Sequence, residues 1–177
     1  VGKAHFGCIG SEGADPKNLG FDINIAGSAI GSPGSYYGEN GYGAIKGAKS
    51  RAVPGLEQYF HTNTFLSDAL TLEADKEIEK AVAEKRPFYL NMAHYAVHSP
   101  FETDKRFIGH YTDPKKNQQA CAFATLIEGM DKSLGDLMDK LEELGIAENT
   151  LIIFLGDNGG DAPLGGAADY GSSAPFK

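Results

Sequence analysis

The sequence predicts an α/β fold with a mainly parallel sheet, and three features indicate it. Residues 151–155 form an apolar run bounded by Thr150 and by glycines, which is typical of a strand buried on both faces. Residues 88–93 have the same character and predict a second buried strand. A long amphipathic helix between them would complete a right-handed βαβ unit, so that the two strands run parallel.

Size and composition fit one globular domain. The chain has 177 residues, 41% of them hydrophobic and 23% charged. Its net charge of −8 disfavours a nucleic-acid partner, because neutralising phosphates requires clustered Lys and Arg. We find no apolar segment long enough to span a bilayer and no secretory signal at Val1. Cys8 and Cys121 are too few for a disulfide scaffold, so we interpret both as small buried or indifferent residues.

The first residues place a cation beside a titratable ring. Side chains alternate in an extended backbone, so Lys3 and His5 would point to the same side. Such a pair suits an anionic substrate. The alternative is a solvated lysine beside an incidental histidine.

Residues 8–60 are rich in Gly, Ser, Pro and Tyr and have no sustained period. Only residues 19–25 predict a short strand. The tyrosines and glycines near Tyr36 and Tyr42 suit either a loop that lies over a site and contacts substrate, or disorder.

Two helices follow from the apolar spacing. The first is predicted to begin at Thr71 and to end near Arg86, since Pro87 disfavours helical geometry in the residue before it. Its predicted buried face is Ala74, Ile78, Ala81 and Val82. The second helix is predicted over residues 117–144, with Gly145 as the residue that terminates it.

Polar side chains follow both predicted strands. His94 and His98 come after the first, and Pro100 favours a loop there over a helix face that could hold zinc. In a loop, either histidine could act as an acid or bind an anion, or could simply be a hydrogen-bonded core residue. Asp157 and Asn158 follow the second strand and offer two hard oxygen ligands to Ca²⁺ or Mg²⁺, although this stretch could also be a plain turn. Parallel strands would bring His98 and Asp157 to the same edge of the sheet.

Three of these segments resemble motifs of one family. Residues 2–7 (G-K-A-H-F-G) resemble its G-K-W-H-L-G segment, residues 94–100 its H-x-x-H-x-P segment, and residues 156–159 its metal-binding D-N-G. The family is the formylglycine-dependent type I sulfatases of the alkaline phosphatase superfamily. Residues 20–22 and the region from Ile127 to Thr150 also resemble it, so that the similarity covers nearly all of the chain.

The resemblance implies an alkaline phosphatase-like sheet sandwiched by helices and the hydrolysis of sulfate esters, with a glycan as one candidate substrate. Lys3, His5 and His98 would be the catalytic residues. Lys3 and His98 would bind the sulfate group, and one of the histidines would transfer a proton. Asp157 and Asn158 would be ligands of one Ca²⁺ or Mg²⁺ ion. A periplasmic or extracellular location is suggested by the resemblance alone.

The sequence also departs from the family. The C/S-x-P-S-R motif that yields formylglycine is absent. The resemblance implies that the paired aspartates that complete the metal site lie on an earlier strand, upstream of Val1. We therefore expect residues 1–177 to be the central part of a catalytic domain, cut at both ends and inactive alone. His94 remains a neighbour of the site, and Lys177 is not assigned. The alternatives are a phosphodiester or phosphonate monoester hydrolase of the same superfamily, or a catalytically dead binding protein.

Overall fold

The computed structural model describes residues 1–112 and 117–159. Two α-helices dominate these ranges: α1, Leu66–Ala83, and α2, Gln118–Glu143. Shorter 3-10 helices lie at Glu12–Ala14, Pro16–Leu19, Gly38–Gly43, Lys49–Arg51, Glu57–Tyr59, Ile108–His110 and Ala147–Asn149. None of the helices in the described ranges is long and apolar enough to cross a membrane.

Helix α2 matches its prediction at both ends. Asn117 is the N-cap, and its side-chain Oδ1 accepts a hydrogen bond of 2.7 Å from the backbone N–H of Ala120. Gly145 follows the helix with φ of 68°, the left-handed geometry that glycine adopts without a steric penalty. The apolar period and the two end signals therefore located this helix to within one residue.

Helix α1 begins earlier than predicted. It starts at Leu66, so the predicted N-cap role of Thr71 is wrong. The hydroxyl of Thr71 instead donates to the carbonyl of Ser67 at 2.8 Å, one turn back within the same helix. The helix also ends at Ala83, before the predicted boundary at Arg86. The predicted face is confirmed, since Ala74, Ile78 and Ala81 are buried and Val82 is partly buried.

The two helices pack against each other through apolar and polar contacts. Ile78 of α1 meets Leu137 and Leu141 of α2 in one buried cluster. Closer to the start of α1, the hydroxyls of Thr71 and Ser133 lie 2.5 Å apart in the buried interface. Because Thr71 already gives its proton to Ser67, Ser133 is the donor in this contact. The pair satisfies two buried hydroxyls across the helix interface.

The Gly- and Tyr-rich residues 8–60 contribute a large part of the larger core. Tyr36, Tyr42 and Leu56 have no exposed surface, and they pack with Leu66 and Leu126 of the two helices. The expectations of a loop over the site or of disorder are therefore wrong for these tyrosines. The bends and short 3-10 helices of residues 8–60 have no helical or alternating period, which is why the sequence pattern did not indicate burial.

The predicted strands are not formed in the described part of the chain. The backbone there makes isolated bridges only, and one of these pairs Gly2 with Ala93 in parallel. Residues 19–25 contain part of a 3-10 helix instead of a strand. Residues 151–155 have no regular secondary structure and are exposed, with Leu151 85%, Ile153 68% and Leu155 80% accessible. A central strand is buried by its neighbours, and residues 1–112 and 117–159 supply none for this segment.

Candidate functional site

The backbone of Lys3 and of its neighbour Gly2 is fixed by hydrogen bonds to two other segments. Its N–H donates to the carbonyl of Ala93 at 2.7 Å, and the N–H of Gly2 donates to the carbonyl of Ile25 at 2.8 Å. Gly2 has φ of 93°, and a Cβ atom there would lie 1.9 Å from the carbonyl oxygen of Ala93. Only glycine permits this close approach, so Gly2 brings the segment of Lys3 against the residue that precedes His94.

His5 is held in a backbone conformation that is uncommon for a residue with a side chain. Its φ is 55°, and its N–H donates to the carbonyl of Ser28 at 2.9 Å. The imidazole lies against Gly31, where an added Cβ would come within 2.6 Å of Cε1. The orientation of the His5 ring therefore depends on the absence of a side chain at Gly31.

His98 lies in a loop, as predicted, and not on a helix face. The N–H of His98 donates to the carbonyl of Tyr95 at 2.9 Å, and its Nδ1 lies 3.2 Å from the carbonyl oxygen of Ser99. The loop contains cis peptide bonds at Ala96–Val97 and Ser99–Pro100. Within the described ranges no group of three or more His, Cys, Asp or Glu residues could hold a metal ion, so a zinc site at His94 and His98 is not supported there.

His94 has a different environment. Its Nδ1 is buried and has no hydrogen-bond partner in the described structure. Burial lowers the pKa of His94 to about 4, because an imidazolium would lose its hydration there. A neutral ring is therefore expected near pH 7, which makes His94 a poor anion binder and supports its interpretation as a neighbour of the site.

The D-N-G segment meets Lys3. The ammonium Nζ of Lys3 lies 3.6 Å from Oδ2 of Asp157, and the Asp157 side chain is 77% exposed. Such an exposed pair contributes at most about 1 kcal/mol to stability. The importance of the ion pair is that it brings together the segment of Lys3 and the D-N-G segment, which are far apart in the sequence. Residues Asp157, Asn158 and Gly159 also form bends, so the turn interpretation and the site interpretation are compatible.

The donor set for a cation is incomplete in these residues. Asp157 and Asn158 offer two hard oxygens, whereas Ca²⁺ takes about six to eight and Mg²⁺ about six. The described ranges place no further cluster of acidic residues or histidines at this point. The residues present therefore fit part of a divalent-cation site and not a whole one.

The structure brings some of the predicted residues together and leaves others apart. Lys3 contacts Asp157, and its backbone joins the residue before His94. No hydrogen bond or ion pair in the described ranges links His98 to Lys3, His5 or Asp157, so the expected common edge for His98 and Asp157 stays a prediction. Lys177 lies outside the described residues.

Several residues that hold the site were missed by the sequence analysis. Gly31 contacts the His5 ring, Tyr36 contacts the carbonyls of the His98 loop, and Glu102 anchors that loop four residues beyond His98. The signal for Gly31 and Tyr36 was weak, because a Tyr or Gly within an irregular Gly-rich stretch is equally typical of a surface loop.

Comparison with known proteins defines the class. The sequence model of the Sulfatase family matches residues 1–173, and the chain belongs to that family. Members of the family use a metal ion and a formylglycine residue. The geometry agrees with this assignment, since the segments that resemble the sulfatase G-K-W-H-L-G and D-N-G motifs are in contact through Lys3 and Asp157.

Individual relatives are similar over different shares of the chain. Arylsulfatase J of Mus musculus is 28% identical over 174 residues, which is 94% of this chain and 27% of that protein. N-acetylgalactosamine-6-sulfatase of Homo sapiens is 30% identical over 115 residues, 65% of this chain and 19% of that protein. The uncharacterized sulfatase YdeN of Escherichia coli (strain K12) is 27% identical over 167 residues, 92% of this chain and 28% of that protein. The chain thus spans less than a third of the length of these curated relatives.

Solved structures support the fold. The crystal structure of Ps i-CgsB superposes with a TM-score of 0.61 at 24% identity, covering 81% of this chain and 33% of that one. The same protein in complex with k-i-k-neocarrahexaose gives the same values. The fold is therefore alkaline phosphatase-like α/β, although no extended strand forms within the described ranges.

Proposed function

We propose that the complete protein to which this chain belongs hydrolyses sulfate esters. The single observation that carries the proposal is the contact between Lys3 and Asp157, which brings the predicted sulfate-binding and metal-binding segments to one place. Membership of the sulfatase family supports the same reaction class. Residues 1–177 lack a C/S-x-P-S-R motif, so the fragment alone is expected to be inactive.

Each residue has a distinct role in the proposed reaction. The ammonium of Lys3 lies beside the position of the sulfate and offsets its negative charge. His98, in its loop, binds a second sulfate oxygen. Either His5 or His98 gives a proton to the leaving oxygen, since an imidazole is the side chain best able to do so near neutral pH. Formylglycine, contributed by another part of the complete protein, would supply the nucleophile.

Asp157 and Asn158 are proposed as two ligands of one Ca²⁺ or Mg²⁺ ion, which would also withdraw charge from the sulfate oxygens. The remaining ligands would come from other parts of the polypeptide. Metal content of the complete protein, compared between wild type and Asp157→Ala, tests this assignment. Equal metal content in the two proteins would remove Asp157 from the site.

The missing sheet is part of the same proposal. We place residues 88–93 and 151–155 in a mainly parallel sheet, flanked by strands from outside residues 1–177. The exposed apolar side chains of Leu151, Ile153 and Leu155 support this, because such surface is normally covered. The cysteine introduced by Ile153→Cys should resist labelling by a thiol reagent in the complete protein and react quickly with it in the 1–177 fragment. Rapid labelling in both would contradict the buried strand.

The substrate class is proposed to be a sulfated sugar. N-acetylgalactosamine-6-sulfatase is the relative that supports it, at 30% identity over 65% of this chain. Turnover of sulfated monosaccharides by the complete protein, compared with a simple aryl sulfate, would test the preference. A strong preference for the aryl compound would contradict it.

A direct assay tests the reaction class. The complete protein should hydrolyse 4-nitrophenyl sulfate faster than bis(4-nitrophenyl) phosphate, and Lys3→Ala or His98→Ala should lower kcat/KM by about 100-fold or more. Lys132→Ala and His110→Ala are matched controls, because both residues are exposed and paired with neighbours on or near α2. Preference for the phosphodiester would favour the phosphodiesterase alternative, and no turnover of either would favour a binding protein.

A further inference from the structure

Tyr36 contacts the loop that carries His98 from inside the core. Its side chain is fully buried, and its hydroxyl oxygen lies 2.7 Å from the carbonyl oxygen of His98 and 2.8 Å from that of Tyr95. The hydroxyl has one proton, which the two carbonyls share. Burial and the nearby carboxylate of Glu102 raise the pKa of Tyr36, so the hydroxyl stays protonated and remains a donor.

The same residue also holds the far end of the loop. The backbone N–H of Tyr36 donates to Oε2 of Glu102 at 2.5 Å, and the hydroxyl of Ser35 donates to the same oxygen at 2.8 Å. Glu102 lies four residues beyond His98. Residues 95–102 are therefore attached at both ends to a single point, the backbone and side chain of Tyr36.

Tyr36 is itself immobilised by α1. Its ring stacks on Phe65 with 5.5 Å between centroids and 14° between planes. Its carbonyl accepts a hydrogen bond of 2.9 Å from the N–H of Leu66, the first residue of the helix. A residue that is packed, stacked and bonded through its main chain can serve as a fixed reference for the loop.

The neighbouring residues 25–28 make the same kind of contact with the other predicted histidine. The carbonyl of Ser28 accepts from the N–H of His5 at 2.9 Å, and the carbonyl of Ala26 accepts from the hydroxyl of Tyr95 at 2.8 Å. The segment 25–36 therefore touches both His5 and the loop of His98. It therefore links the backbone of His5 to the backbone of the His98 loop.

We infer that Tyr36 is a positioning residue for His98 in the reaction, acting through its hydroxyl on the carbonyls of Tyr95 and His98. This inference rests on the proposed sulfate-ester hydrolysis. Removing the hydroxyl frees the loop backbone while leaving the ring and its stacking in place. Because a displacement of about 1 Å in a catalytic group can cost on the order of 100-fold in rate, the effect should appear mainly in kcat.

Tyr36→Phe in the complete protein tests the inference, and Tyr37→Phe is the matched control. Tyr37 is the next residue, and its hydroxyl donates to the carbonyl of Thr103, also at 2.7 Å, beyond the attached loop. Tyr36→Phe should lower kcat on 4-nitrophenyl sulfate by about 10- to 100-fold with less than a threefold change in KM. Tyr37→Phe should change kcat by less than about twofold.

A second readout separates this inference from the proposed function. Hydrogen exchange of the peptide covering residues 94–102 should accelerate in Tyr36→Phe, whereas exchange in α2 should not change. If the wild type has no sulfatase activity, the proposed function fails. In that case, unaltered exchange at residues 94–102 in Tyr36→Phe would also overturn the contact between the Tyr36 hydroxyl and the loop, on which the inference rests. If the wild type is active and the two variants have equal kcat, the positioning role is wrong. A loss of kcat that merely follows a general loss of thermal stability in both variants would also overturn it.

Discussion

Replacing Gly31 by alanine should displace the imidazole of His5. The added Cβ would lie 2.6 Å from Cε1, 2.9 Å from Nδ1 and 3.0 Å from Nε2 of that ring. Carbon atoms in contact are normally about 3.5–4.0 Å apart, so the ring must move by about 1 Å. The His5 side chain is exposed and can move outward, which keeps the cost in folding free energy low.

The effect on activity should be much larger than the effect on stability. A shift of about 1 Å in a catalytic group typically costs on the order of 100-fold, equivalent to about 2.7 kcal/mol of transition-state stabilisation. We therefore expect Gly31→Ala in the complete protein to lower kcat/KM on 4-nitrophenyl sulfate by about 100-fold. Its melting temperature should stay within about 2 °C of the wild type.

Two controls make this prediction specific. Gly135→Ala lies on the exposed surface of α2 with open space around the new Cβ, and should preserve activity while stabilising the helix by up to about 1 kcal/mol. In a His5→Ala background, Gly31→Ala should change kcat/KM by less than about twofold, because the displaced ring is gone. A 100-fold loss in that background, or full activity of the single variant, would refute the reasoning.

Three further predictions concern the packing around the site and are tested in the complete protein. Arg106→Leu should lower the free energy of unfolding by about 3 kcal/mol, because it leaves the buried carboxylate of Asp104 without its bidentate partner. The control Lys105→Met should cost less than about 0.5 kcal/mol, and equal melting temperatures of the two variants would contradict this. Thr71→Val should lower the free energy of unfolding by about 1–3 kcal/mol, because it leaves the hydroxyl of Ser133 unsatisfied. The double variant Thr71→Val with Ser133→Ala should recover part of this stability, and strictly additive effects of the two substitutions would argue against the contact. His94 has a pKa of about 4 in the folded protein and about 6.5 in the unfolded chain, so the unfolded state binds more protons between these pH values. The free energy of unfolding should therefore fall by about 2 kcal/mol as the pH drops from 7 to 5. His94→Gln should remove that share of the pH dependence of the melting temperature, and an unchanged dependence would contradict a buried neutral ring.

The helices could be predicted from sequence because their signals are local. The apolar period of α2, its cap at Asn117 and Gly145 all lie within one continuous stretch. The start of α1 was misplaced because Phe65, its N-cap, makes no side-chain capping bond, whereas Thr71 has the composition of a cap and lies within the helix. Capping statistics favour Thr71, but tertiary burial of Leu66 and Leu70 extends the helix backwards.

The strands and the core of residues 8–60 depend on distant contacts. The burial of residues 151–155 depends on which segments lie beside them, and the composition of these five residues does not contain that information. Tyr36 lies in a bend and Tyr42 in the 3-10 helix Gly38–Gly43, and such irregular backbone has no readable period. For the site, sequence motifs predicted Lys3 and Asp157, whose contact the structure contains, but not the supporting Gly31.

The central claim is that Lys3 and His98 bind one sulfate group beside Asp157. A crystal structure of the complete protein with inorganic sulfate tests it most directly. We expect a sulfate oxygen within hydrogen-bond distance of Lys3 Nζ, a second contact from the imidazole of His98, and the Asp157 carboxylate in the same pocket. A structure in which His98 and Asp157 line separate pockets, with sulfate bound away from Lys3, would contradict the account.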